Sequence, residues 1–355
     1  MSRAMARVRE YWGSLDRNKK IFSIFSVSIL TFLVGYGGIG YIVWSSASQA
    51  LAVNPGCGMW SENTPSNWTV DDDWESFEPW PDSDERIDIR KGFDASPYQM
   101  SSYEDITFSP RDNSEINLSG WYVEVNSDAP VVILTHGMPV NGKCKPEMLL
   151  MQGYLAEGGI NSLSFDLRNY GNSEVVDDFV SVGQKEYKDL LGAYDWLISE
   201  KSYQPGEVGM SGISLGGGAA IAFAEESGIG AMWLDSAVLD FPLVIQNELG
   251  RLGFPAFFAG PGLRVGTLLD GVYLDSRSPM EAADSAGERP VFLTHATDDP
   301  RVSVVHSERF EEKMLENGGN VTTWYVEDRG HVDAIWGESD DYRIKLVNFF
   351  DAALS

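Results

Sequence analysis

The chain has 355 residues, 43% hydrophobic and 12% aromatic, which is enough for one sizeable core plus an appendage and argues against global disorder. Its 53 Asp and Glu against 26 Lys and Arg give a formal net charge of −27. That balance argues against a nucleic-acid partner, because a polyanionic surface repels phosphate, but it says nothing about fold.

Residues 1–20 run against this trend, with six Lys or Arg opposed only by Glu10 and Asp16, a net +4. From Ile21 to Trp44 no residue is charged. At about 1.5 Å each, these 24 residues make about 36 Å of helix, more than the ~30 Å of a hydrocarbon core. Residues 21–44 are therefore predicted to be one transmembrane helix. No Lys or Arg follows until Arg86, so the basic end is expected in the cytoplasm and the rest of this single-pass chain outside it. Tyr36, Tyr41 and Trp44 are expected at the outer interface. A cleaved signal peptide ending at Ala50-Leu51-Ala52 is the rival, disfavoured because such peptides have an apolar region of about 7–15 residues. Gly35-Tyr36-Gly37-Gly38-Ile39-Gly40 fits the G-x-G-x-x-G pattern, but no strand precedes it, so it is not read as a dinucleotide site.

Residues 45–89 read as an acidic tether studded with Trp60, Trp68, Trp74 and Trp80, part of which should pack on the following domain. Its Asp71-Asp72-Asp73 run lacks the glycine and glutamate spacing of a calcium loop and reads as solvated surface. Outside the cytoplasm, Cys57 and Cys144 could form one disulfide pinning the tether; two unpaired thiols are the alternative. Neither cysteine has a metal-ligand spacing.

From residue 90 to 355 the pattern alternates. Ile106–Phe108 and Ile116–Val125, joined through Pro110-Arg111-Asp112-Asn113, suggest an antiparallel entry hairpin. Short apolar runs follow at 131–134, 162–165, 208–210, 231–234, 291–293 and 323–326, as expected of strands buried on both faces of a parallel sheet. Helical stretches separate them at 148–157, 185–201, 216–226 and 304–316, and 342–353 closes the domain. The alternation predicts an α/β fold with right-handed crossovers. The insertion at about 241–286 is loop-rich, with Phe254, Pro255, Phe257, Phe258, Pro261 and Leu263 close together. It reads as a lid offering apolar surface, or as a packing excursion with no ligand role.

Between the 208–210 strand and its helix lies Gly212-Ile213-Ser214-Leu215-Gly216. A serine between two glycines at this spacing suits a sharp strand-to-helix turn, which makes Ser214 the candidate nucleophile. A serine hydroxyl needs a base, and the base an acid to orient it. Of four histidines, His136 and His295 end strands and His306 falls in a helix, whereas His331 lies on a loop after the final strand and is the candidate base. Asp298 and Asp299 follow the 291–293 strand as candidate acids, with Asp235 as fallback.

Four stretches now carry a resemblance. They are His136-Gly137, the run Asp166-Leu167-Arg168-Asn169-Tyr170-Gly171-Asn172-Ser173, Gly212 to Gly216, and the loops bearing Asp299 and His331. On them, residues 100–355 resemble the α/β-hydrolases, in the branch of esterases and serine aminopeptidases. The resemblance selects Asp299 over Asp298 and implies an oxyanion hole from the backbone N–H groups of Met138 and Leu215, with no metal or cofactor. Asn169 and Ala296 stand where the family usually has glycine. The implied activity is hydrolysis of an ester or related acyl bond in a small-molecule substrate. A peptide substrate, acyl transfer on the same residues, and a non-catalytic binding module are the alternatives. Oligomeric state has no signature in the sequence.

Overall fold

The computed structural model describes residues 3–70, 90, 92–138, 142–251 and 253–354. Trp74, Trp80 and the Asp71-Asp72-Asp73 run lie outside these residues. Eight strands form one sheet in the order β1-β2-β4-β3-β5-β6-β7-β8: β1 (Glu104–Phe108), β2 (Leu118–Val123), β3 (Val131–Thr135), β4 (Asn161–Phe165), β5 (Val208–Ile213), β6 (Ile229–Asp235), β7 (Val291–Ala296) and β8 (Val321–Val326). β1 and β2 pair antiparallel, as expected of the entry hairpin, β2 pairs antiparallel with β4, and every other pair is parallel.

The strand side chains show why near-continuous apolar runs were needed. Along β3, Val131 and Ile133 enter one buried cluster, while Val132 and Leu134 enter another. Side chains alternate between the faces of a strand, and here helices cover both faces. The flanking helices of the domain are α3 (Pro146–Glu157), α4 (Tyr187–Glu200), α5 (Gly217–Glu225), α9 (Val305–Glu316), α10 (Ala334–Gly337) and α11 (Ser339–Leu354).

Two helices precede the sheet, α1 (Arg3–Ser14) and α2 (Arg17–Leu51). Asp16 caps α2 by accepting from the Lys19 N–H at 2.9 Å. The helix thus extends past the expected 21–44 at both ends, because caps and packing, not apolarity, set its limits. Residues 17–49 are long and apolar enough to cross a membrane. Phe22, Phe25, Leu30 and Val34 are exposed on it, whereas Val43 and Trp44 are only 3% and 4% exposed. The indole of Trp44 packs on the domain, and its Nε1 donates to Asp270.

The first part of the tether continues into this packing. Val53 N–H donates to Asp178 O and Gly56 N–H to Gly171 O, Trp60 and Trp68 are buried, and Cys57 is disulfide-bonded to Cys144 with the Cα atoms 5.8 Å apart. The insertion differs from the loop-rich expectation. It holds α6 (Phe241–Arg251), α7 (Ala259–Asp270) and α8 (Glu281–Ser285). Pro242 and Pro261 stand in the first turns of α6 and α7, where a missing N–H costs no helical bond.

Candidate active site

Ser214, Asp299 and His331 lie 85 and 32 residues apart in sequence, yet each follows the carboxyl end of a strand in the parallel part of the sheet: β5, β7 and β8. Loops at these ends converge on one edge of the sheet, which brings the three side chains together.

The turn after β5 forces Ser214 into left-handed backbone at φ 55°. Its glycines are required by contact. A Cβ on Gly212 would sit 2.6 Å from Gly216 Cα, and a Cβ on Gly216 would sit 2.6 Å from the Gly212 carbonyl carbon. Gly137 is constrained the same way, since its Cβ would lie 2.8 Å from Ser214 Cβ. The loop after β3 therefore lies directly against the serine.

His331 links the other two groups. Its Nε2 is 2.8 Å from Ser214 Oγ and its Nδ1 is 2.7 Å from Asp299 Oδ2. Ser214 is half-buried and open to a reactant, while His331 and Asp299 are buried behind it. Asp299 Oδ1 accepts from the N–H groups of Arg301 at 2.8 Å and Val302 at 2.9 Å. Burial alone would raise the Asp299 pKa, but the charge of His331 and hydrogen bonds from His295 and His331 outweigh it and hold the carboxyl well below its usual range. An ionised Asp299 favours the tautomer with the proton on Nδ1, leaving Nε2 to accept from the serine.

The other candidates are occupied elsewhere. Asp298 is exposed and accepts from Thr297 Oγ1 at 3.3 Å. Asp235 is buried, accepts from Ser236 Oγ and Tyr342 Oη at 2.9 Å each, and is pushed up to about 6 by burial. His136 is fully buried, its Nε2 accepting from the Leu167 N–H at 3.2 Å, and burial lowers it to about 4. His306, likewise lowered to about 4 by burial, accepts from the N–H groups of Leu239 and Asp240 through Nδ1.

Met138 and Leu215 flank Ser214 on the loops after β3 and β5, and among the described residues neither N–H donates a hydrogen bond. The loop bearing Met138 is held by a residue the sequence did not single out. Lys145 Nζ donates to the carbonyls of Gly137 at 3.0 Å and Met138 at 3.2 Å. His295, read only as a strand-end residue, lies 3.4 Å from Asp299 Oδ2 through Nε2 and 2.7 Å from Ser307 Oγ through Nδ1. The one available signal was its place four residues before Asp299; Lys145 gave none, since a lone lysine reads as surface.

The 166–173 stretch is a brace beneath the site. Asp166 Oδ2 accepts from the buried Lys143 Nζ at 2.5 Å and from the Asn172 N–H at 2.8 Å. Asn169 has φ 71°, a conformation asparagine tolerates far better than most residues, and its Oδ1 accepts from the N–H groups of Val176 and Asp177. This explains how it stands in for a glycine. The described residues contain no cluster of His, Cys, Asp and Glu able to hold a metal ion.

Comparison with known proteins agrees with this architecture. The family model described as X-Pro dipeptidyl-peptidase (S15 family) matches residues 93–260, a stretch that includes Ser214 and ends before Asp299 and His331. An esterase from Pyrococcus furiosus is similar in structure, with a TM-score of 0.59 and 22% identity over 74% of this chain and 95% of its own. The acylaminoacyl peptidase of Pyrococcus horikoshii matches with a TM-score of 0.54 and 21% identity, over 71% of this chain and 41% of its own. An α/β hydrolase from a Penicillium species has a TM-score of 0.55 at 16% identity. No curated protein matches. The fold is that of the α/β-hydrolases, and the matching family and these neighbours are hydrolases.

Proposed function

We propose that this α/β-hydrolase is a membrane-anchored serine hydrolase that cleaves an ester or related acyl bond, with α2 as the anchor and the catalytic domain outside the cytoplasm. The observation that carries the reading is the unbroken relay from Asp299 Oδ2 through His331 to Ser214 Oγ, at 2.7 and 2.8 Å. In this reading His331 Nε2 takes the hydroxyl proton as Ser214 attacks the acyl carbon, then returns it to the leaving group. Asp299 keeps Nδ1 protonated and stabilises the imidazolium. The N–H groups of Met138 and Leu215 receive the oxyanion, each donor contributing about 3 kcal/mol to the transition state. Water then releases the acyl group by the same steps in reverse. The Cys57–Cys144 disulfide and the basic residues within 1–20, ahead of the uncharged span from Ile21 to Trp44, support the extracytoplasmic placement.

The match to a peptidase family over residues 93–260 favours a second reading, a peptidase acting through the same three residues. Mass spectrometry after exposure to a fluorophosphonate tests the shared premise: an adduct on Ser214, lost in Ser214→Ala and His331→Ala, is expected. A folded protein with no adduct would overturn both readings, and relative turnover of acyl esters and aminoacyl amides would decide between them.

A further inference from the structure

The insertion does more than cover the sheet, because α7 lies along α2 in a parallel sense. A Cβ on Gly260 would be 3.8 Å from Tyr36 Oη, one on Gly262 would be 2.4 Å from Val43 Cγ1, and one on Gly266 would be 2.4 Å from Trp44 Cε3. Small residues thus let the two backbones approach as packed membrane helices do. Leu249 of α6 and Ala259 of α7 close over Val43, with Ile39, Ile245, Phe254 and Phe258 around them.

A Cβ on Gly40 would be 2.5 Å from Pro261 O, so the start of α7 sits beside Gly40, four residues or about 6 Å along α2 before Trp44, within its apolar part. The tip there, Gly253 to Leu263, has no charged residue. Phe257 is 74% exposed, with its ring against Phe258. Arg264, one helical turn after Gly260, is exposed and is the first charged residue after this tip. Phe254 and Phe258 of this tip pack with Ile39 and Val43 of α2, which leaves the exposed Phe257 on the tip beside the apolar part of α2. The other end of α6 meets the serine turn: a Cβ on Gly217 would lie 3.5 Å from Phe241 Cζ, and the Val238 N–H donates to Ser214 O at 2.7 Å. One helix of 11 residues, about 16 Å, spans from that turn to the anchor.

We propose that the tip around Phe257 is seated in the extracytoplasmic leaflet beside α2, and that Ser214 takes its acyl substrate from that leaflet. This rests on the reading of α2 as a membrane anchor and of Ser214 as the nucleophile. The test uses full-length protein in phosphatidylcholine vesicles, with an environment-sensitive dye on Phe257→Cys, Leu30→Cys or Leu315→Cys and a nitroxide on the lipid chains. Fluorophosphonate capture of Ser214 verifies that each labelled protein is folded. The Phe257 label should be quenched, as the Leu30 label is, with the α9 label at Leu315 unquenched. Quenching at position 30 but not 257 overturns the proposal and leaves the anchor standing; quenching at neither overturns the anchor reading as well. A long-chain nitrophenyl ester should turn over when dissolved in the protein's own vesicles and not when carried in separate ones. Equal turnover, or none from protein that is captured at Ser214, overturns the substrate half.

Discussion

Replacing Asp299 with asparagine changes one polar atom whose neighbours dictate how the new side chain must sit. Oδ1 receives the N–H groups of Arg301 and Val302, while Oδ2 faces His331 Nδ1 at 2.7 Å and His295 Nε2 at 3.4 Å. In Asp299→Asn the two backbone donors hold the amide oxygen at the Oδ1 position, which turns the amide N–H₂ toward His331. Nδ1 then becomes an acceptor and the ring proton moves to Nε2, where it can no longer accept from Ser214 Oγ. The expected loss in kcat is about 10⁴-fold, or about 5.4 kcal/mol of barrier. Hydrolysis of a short nitrophenyl ester and the rate of fluorophosphonate capture both report it, with Asp298→Asn, at an exposed site, expected to behave as wild type. The exchange also has a stability signature. Because the folded pKa of Asp299 is depressed, its contribution is present above the unfolded value of about 3.9 and is lost as pH falls below it. That acid-labile part should vanish in the variant. A folded Asp299→Asn protein retaining more than about one tenth of wild-type kcat would refute the relay.

Gly137→Ala places a Cβ 2.8 Å from Ser214 Cβ, so the loop bearing the Met138 N–H must shift; a fall in kcat of about 10²–10³ is expected, and unchanged steady-state kinetics would contradict the oxyanion assignment. Arg168→Leu removes the partner that bonds the buried Asp189 at 2.7 Å, at a cost of about 3–5 kcal/mol in denaturant unfolding. Asp189 is raised to about 7 by burial even with Arg168 present, so stability from this group is full below about pH 4 and lost as pH rises through about 7. Without Arg168 the loss should deepen and extend to higher pH, and a pH-independent loss in the variant would contradict this. Replacing both Cys57 and Cys144 by serine opens a loop with a sequence separation of 87 and should lower stability by about 4–5 kcal/mol, read as the fall in thermal midpoint against oxidised wild type, with reduced wild type expected to match the variant.

What the sequence determined by itself was whatever depends on local pattern. Apolar runs long enough for strands buried on both faces announced β3 to β7, the uncharged stretch from Ile21 to Trp44 announced the long helix, and Gly212 to Gly216 announced the turn at Ser214, because each rests on period, length or backbone sterics within a few residues. The order of Ser214, Asp299 and His331 was legible too, since strand-end loops in a parallel sheet share one edge. The tertiary structure decided which partners each side chain meets. Lys145 under the Met138 loop, His295 behind Asp299 and Lys143 in the grip of Asp166 are single polar residues whose roles exist only once distant segments close on them. The insertion shows the same limit from the other side. Its glycines and prolines gave a local reading of loop, but against α2 those glycines are what allow two helices to touch, and the surface of that second helix is contributed from more than 200 residues earlier in the chain.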